Sequence, residues 1–366
     1  MKTSGFKVKY LSTFIFLSTL LPFYHSTFLP CLYAQEYESA TQTQTTDTTA
    51  PATVLNQPVY VCNLPNINDY DIFASGGWDG NWYVGYNVCW IVRLYIPEEL
   101  NRERFSRFFI GAKLGRAKTR KIDKRPSWER EPIPGSVYIA ISSTSAWKSN
   151  QRYFLVSTLD IALEDDFENA LEGTGEARWF WADVAPEQVN FDGPNFIALW
   201  SPTEFFVSRD TSPILAGGWG AKGGESNTWL NDEIQGSPPI EPSTTLKTPI
   251  SVFEPAIALK LIPSGDPQEI IVSIETVNDG RRNTQEKVIR TAVYGNNIER
   301  VWMEVEDKEK SVYKKIWRYI YNPPYIFTLK PAYLAEGKVK LRVAAQDVWG
   351  NTGFSEPIEL NVERVK

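Results

Sequence analysis

The sequence predicts an all-β protein, with an aromatic-rich jelly-roll or β-sandwich domain followed by a second, smaller β-sandwich. Three observations carry this. Apolar residues recur at every second position in several runs, the period of a strand with one buried face. The chain holds 23 Gly and 24 Pro, which cut it into short segments. It also holds 13 Trp, 17 Tyr and 19 Phe, side chains enriched in strands, and ten of the Trp fall between Trp78 and Trp229.

Residues 1–34 carry Lys2, Lys7 and Lys9, then the apolar run "LSTFIFLSTLLPF", then small residues ending at Ala34. This pattern predicts a secretory signal peptide cleaved near Ala34. An uncleaved anchor is the alternative, although the apolar run falls short of the ~20 residues a span needs. The expected location is secreted, periplasmic or cell-surface, with no transmembrane span after cleavage. Residues 35–57 are rich in Thr and Gln and predict a disordered tether.

Residues 58–240 predict the first sandwich. In "WYVGYNVCWIVRLYI", positions Trp82 to Ile96 are apolar at every even number, so Trp82 and Trp90 are expected in the core, with a bend near Gly85. Further strands are expected at 107–114, 136–143, 152–161, 177–184, 195–201 and 204–209. A helix is expected over "IALEDDFENALEG", where Leu163, Phe167 and Leu171, in step with Leu159 just before the run, recur every four residues. Residues 241–264, rich in proline, predict a linker.

Residues 265–366 alternate more cleanly. Val339, Leu341, Val343 and Ala345 point one way, and Lys338, Lys340 and Arg342 the other. Val301, Met303 and Val305 form a second such face, and Ile358, Leu360 and Val362 a third. The run 322–363, with Pro323-Pro324-Tyr325, a Gly-led strand, Ala345-Gln346-Asp347 and Gly350-Asn351, resembles the C-terminal half of bacterial immunoglobulin-like domains. The resemblance covers roughly 265–366 and implies a fold and a spacer or adhesion role. Residue chemistry agrees: Asp347 suits an Asx turn, and Gly350-Asn351 tolerates the left-handed backbone of a tight hairpin.

Charge narrows the function. Without Lys2, Lys7 and Lys9, the 38 Lys+Arg become 35 against 44 Asp+Glu, a net charge of −9. Such a chain is a poor partner for nucleic acid, whose phosphates need a basic face. The single histidine, His25, lies in the expected leader, so histidine-dependent nucleophilic and HExxH zinc chemistry are not expected. Cys62 and Cys89 remain after cleavage. A disulfide between them, closing a loop of about 27 residues and worth ~3 kcal/mol, is expected in an exported protein; two separate buried thiols are the alternative.

Candidate sites follow from residues without period. Trp78, Asp79, Trp147, Trp219 and Trp229 sit in Gly-, Ser- or Asn-rich segments, where an indole offers a flat face to a sugar or a protein. The alternative is an indole folded back over the sandwich end. Asn66, Asn68, Asp69, Asp71 and Asp79 supply hard oxygens that suit structural calcium, though not at EF-hand spacing; turn chemistry is the other reading. No other cofactor is expected. The acidic run from Asp160 to Glu172 reads as a solvated helix face, with calcium or paired catalytic carboxylates as alternatives. The stretch "KLGRAKTRKIDKRPSWER" carries eight Lys/Arg against two acids and reads as a solvated loop, or as a contact for an anionic polysaccharide or a membrane surface.

Together these features predict an exported, non-catalytic binding or cell-envelope protein, with a polysaccharide or cell-surface glycan as the expected ligand. A carboxylate-dependent glycoside hydrolase or lyase, and a purely structural envelope or appendage component, are the competing readings.

Overall fold

The computed structural model describes residues 56–71, 82–163, 177–220, 226–242, 246–250, 253–279, 286–307, 309, 311–316, 319–329 and 334–362. Strands make up 51% of the described residues and helical turns 6%. Residues Thr53–Lys366 form one compact unit. The helix expected over 161–173, and the acidic run it carries, fall mostly outside the described residues.

The first sandwich faces two antiparallel sheets against each other. One has six strands in the order β13 (Thr248–Pro249), β12 (Thr228–Asn231), β2 (Cys89–Tyr95), β9 (Pro194–Trp200), β6 (Ser136–Ser142) and β7 (Arg152–Ser157). The other runs β1 (Val59–Val61), β15 (Ile257–Pro263), β3 (Phe105–Gly115), with β8 (Arg178–Val184) on the far side of β3 and β10 (Ile214–Leu215) at its end. Beyond β10, β11 (Gly217–Trp219) pairs with β14 (Phe253–Pro255). A hairpin of β4 (Thr119–Lys121) and β5 (Arg130–Pro132) projects after β3. Between the sheets lie Trp90, Val92 and Leu94 of β2, Ile139 and Ile141 of β6, and Ile197 and Leu199 of β9. They meet Phe108, Ile110 and Leu114 of β3, Phe180 of β8, and Leu259 and Leu261 of β15.

Two expectations need correction here, and a third is sharpened. The segment 241–264 is not a linker: all seven residues of β15 are buried, and β15 pairs with β1 on one side and β3 on the other. Pro242 precedes the strands, Pro249 and Pro255 sit in the short strands β13 and β14, and Pro263 ends β15 at a register shift, so none interrupts a central ladder. Residues 204–209 form no strand. Phe206 is fully buried and packs where a Cβ on Gly135 would clash, while Phe205 and Val207 are exposed. The long run from Trp82 is not one continuous strand. The chain turns near Gly85, as expected, and the regular strand starts only at Cys89. A side chain at Gly85 would meet the Tyr83 ring at 2.6 Å and the Phe206 carbonyl at 2.7 Å.

The second sandwich has its own core. A three-stranded sheet of β16 (Ile271–Asp279), β17 (Lys287–Tyr294) and β20 (Tyr325–Leu329) faces a sheet in the order β19 (Val312–Lys315), β18 (Ile298–Asp307), β21 (Gly337–Asp347), with β22 (Thr352–Phe354) and β23 (Ile358–Val362) both on β21. Val301, Met303, Phe327, Leu341 and Val343 fill the space between. The Asx turn forms as expected: Asp347 Oδ1 accepts from the Trp349 and Asn351 backbones at 2.9 and 2.8 Å, and Gly350 takes φ +92°.

The two sandwiches are packed together. Tyr321, just before β20, is buried in the cluster on the outer face of β3, β8 and β15 with Trp179 and Ala258. Asn68 clamps the junction, donating to the Asn322 carbonyl at 3.0 Å and accepting from the Tyr321 backbone at 2.8 Å. Beneath, Lys260 Nζ lies 2.7 Å from Glu299 Oε1 and over the Trp181 and Phe109 rings, at 4.5 and 4.7 Å from their centroids. Burial lowers the Lys260 pKa against the pull of Glu299.

Candidate functional site

The glycines around Trp219 have a packing role. A Cβ on Gly217 would lie 2.2 Å from Trp82 Cζ3, and one on Gly218 would lie 2.3 Å from Leu64 Cδ1 and 2.9 Å from the Asp69 carbonyl. Both positions admit only glycine because the β11 backbone is pressed between a tryptophan and the 62–71 loop. That close approach builds a ladder of rings. Trp90, 1% exposed, lies 5.3 Å from Trp82; Trp82 meets Phe253 edge-on at 5.3 Å; Phe253 lies 4.2 Å from Trp219. Trp90 Nε1 donates to the Tyr83 carbonyl, which fixes the inner rung. The outer rung, Trp219, is 58% exposed. An indole held on such a foundation gives up little side-chain entropy when a ligand covers it.

The other expected ligand residues separate. Trp147 is 1% exposed, and its indole N–H donates to the Phe196 carbonyl at 3.1 Å. Trp229 is 8% exposed under the Arg93 guanidinium. Both cover the outer face of the six-stranded sheet with Cys89, Ile91, Phe196 and Trp200, so the structure assigns them to packing rather than to an exposed platform. Trp82 is half-buried against the core. Trp78 and Asp79 lie outside the described residues.

Cys62 and Cys89 are free thiols, not a disulfide. Cys89 points out of the six-stranded sheet into the cluster under Trp147, whereas Cys62 follows β1 and packs outside the opposite sheet. The thickness of the sandwich, ~10 Å between sheets, stands between them. Burial pushes the Cys62 thiol up to about 11 and raises Cys89 further. Such thiols are poor nucleophiles at neutral pH.

In the 66–71 segment, the Asn66 and Asn68 side chains are engaged in turn and interface contacts. Asn66 caps the short turn Ile67–Asp69 by accepting from the Asn68 backbone, and Asn68 holds the second sandwich. Among the described residues no group of three or more His, Cys, Asp and Glu side chains is placed to hold a metal. Glu254, beside Phe253 in β14, is nearly buried; it accepts from Asn63 Nδ2 at 3.0 Å and from the Thr228 hydroxyl. Burial raises its pKa, against those two hydrogen bonds.

A cleft of about 1400 Å³ opens at the Tyr95 end of β2, a feature the periodicity did not reveal. Leu100, Val189 and Phe191 line it, and Glu98, Glu187 and Asp192 supply carboxylates. Arg102 lies over the Phe191 ring and donates to the Pro186 carbonyl, while Gln188 bonds Tyr153 and the Asn150 carbonyl. The cleft arises from three loops drawn from distant parts of the sequence.

No protein-family model and no curated protein sequence matches the chain. Among solved structures it is similar to the glycoside hydrolase domain of Endo-D from Streptococcus pneumoniae, at 12% identity and TM-score 0.26, over 75% of this chain and 32% of that one. It is also similar to a β-glucuronidase from Ruminococcus gnavus, at 11% identity and TM-score 0.19, over 83% and 40%. A Lactobacillus rhamnosus β-glucuronidase aligns at 8% identity and TM-score 0.22, over 87% and 46%. The chain thus spans less than half the length of each. TM-scores of this size establish no common fold, and those enzymes' activities carry nothing over to this chain.

Proposed function

We propose that this chain is an exported, non-catalytic binding protein of the cell envelope or surface, that its ligand is a carbohydrate, and that its second sandwich is an immunoglobulin-like spacer. The observation that carries the proposal is Trp219: a tryptophan 58% exposed, resting on Phe253 at 4.2 Å, at the end of a ring ladder rooted in the core. Pyranose rings present a face of C–H groups, and a fixed indole face suits them. Residues 1–34 support the export part of the reading.

The test pairs a glycan array on residues 35–366 with Trp219→Ala. The wild type is expected to bind a defined set of glycans. The variant is expected to lose about tenfold or more in affinity, with stability within ~1 kcal/mol, since half-exposed rings stabilise little. A wild type that binds no glycan, or a Trp219→Ala variant that binds as well, refutes the proposal.

The cleft favours a second reading, a carboxylate-dependent glycoside hydrolase or lyase using Glu98, Glu187 or Asp192. Release of reducing or unsaturated sugar ends by the wild type, abolished in Glu187→Gln or Asp192→Asn, would establish it over the first.

A further inference from the structure

The basic stretch 113–130 folds in part into the hairpin β4–β5, and its tip exposes Trp128. At 79%, Trp128 is the most exposed large apolar side chain among the described residues. The hairpin is ordered by its own contacts. Arg130 donates to the Thr119 hydroxyl and carbonyl, Arg120 pairs with Glu131 at 2.7 Å, and the Glu129 backbone closes on Pro126 at 2.9 Å. Ile133 donates to the Lys118 carbonyl at its root. An indole displayed on a closed turn is therefore presented to solvent by a built element.

Around it the charge changes sign. Residues 119–132 hold Arg120, Lys121, Lys124, Arg125 and Arg130 against Asp123, Glu129 and Glu131, a net +2 on a chain whose formal charge is −6. Arg120 is neutralised by Glu131, and Arg125 only approaches Glu129, at 3.8 Å. Lys121 and Lys124 are exposed, and Lys124 is held at φ +62° in the turn.

We propose that this hairpin tip is a separate contact for an acidic polysaccharide: Trp128 stacks on a sugar ring while Lys121, Lys124 and Arg125 meet carboxylate or sulfate groups along the strand. Charge complementarity selects an anionic ligand, and the isolated indole selects one with a flat C–H face. A linear polymer fits better than an anionic membrane. A bilayer is a plane that meets every group at the tip at once, and exposed Asp123 would then face like charge, whereas a narrow polymer strand need not contact Asp123. The contact is distinct from Trp219 and does not depend on it.

Affinity electrophoresis of the exported protein through gels holding polygalacturonate, dextran sulfate or neutral dextran tests this. Retardation is expected in at least one acidic gel and not in dextran, and it should weaken as salt rises and screens the charges. Trp128→Ala and the double variant Lys121→Glu/Lys124→Glu should each weaken it about tenfold, with the melting temperature unchanged. Trp219→Ala should leave it unchanged, so this idea and the preceding one fail separately. No retardation in either acidic gel, equal retardation in dextran, wild-type behaviour of both hairpin variants, or binding to vesicles of phosphatidylglycerol and phosphatidylcholine in place of the polymers would each overturn it.

Discussion

The two sandwiches solve the same packing problem differently. In the second, the sheets bury one face, and the other meets water. Lys338, Lys340 and Arg342 alternate along β21 with buried Val339, Leu341 and Val343, and they pair with Glu359, Glu306 and Glu304 across the sheet. In the first, both outer faces are covered. Trp147 and Trp229 lie over Cys89, Ile91 and Ala198 on one side, and the 62–71 loop with Tyr321 lies over Trp179 and Ala258 on the other. The difference teaches what the aromatic density is for: the first sandwich carries a third and a fourth layer, and large flat rings build them.

The sharpest way to break that comparison is Trp147→Ala. If the outer layer is core in the full sense, the change costs about 3–5 kcal/mol, as for any buried aromatic, and a denaturant melt reads it. A loss below ~1 kcal/mol would make the first sandwich as one-sided as the second. Lys260→Met probes the other covered face. It leaves Glu299 without its partner at the junction, and a loss of about 3 kcal/mol is expected. The double variant Lys260→Met/Glu299→Leu should recover most of it, because the pair sits among rings that can pack on apolar groups. If the double variant is no better than the single, the junction needs the ion pair itself.

The smallest effect concerns pH. The raised Glu254 carboxyl means the folded protein holds this proton more tightly than the unfolded chain does. Its contribution is present in full below the unfolded value of 4.5 and is lost as pH rises through the folded pKa. Glu254→Gln should flatten that part of the stability curve in melts taken from about pH 4 to about pH 8. An unchanged curve would mean that the corner around Thr228 and Asn63 solvates the carboxylate fully.

The same contrast explains what the sequence discloses. Alternation marks a sheet with one wet face, so the strands at 298–307, 337–347 and 358–362 were readable, as was the Asp347 turn. Where both faces are dry, alternation vanishes. In β15 every residue is buried, and a run flanked by prolines read as a linker. Cys89 and Ile91 fall on the "polar" phase of their strand, yet are buried because a tryptophan covers them. Trp147 and Trp219 have the same local signature, an indole among small residues, and opposite fates. Only the backbone pairing of Gly217–Trp219 with Phe253–Pro255 separates them, and no local pattern encodes a partner more than thirty residues away. The cleft at the Tyr95 end was equally hidden, because its loops meet only in three dimensions.

The pairing of β1 with β15 sets an order of assembly. Val59 sits opposite Leu261, and the central strand β3 takes β15 as its neighbour. The first sandwich therefore cannot close until the chain has been made past Pro263. At ~5–20 residues per second, roughly 10–40 s separate the appearance of these two strands. From the time β3 (Phe105–Gly115) is made until β15 follows, β3 has an open edge and an uncovered apolar face, a template for pairing with other chains. On the export route proposed above, the delay has a use: a polypeptide that cannot finish its first domain reaches the membrane still threadable.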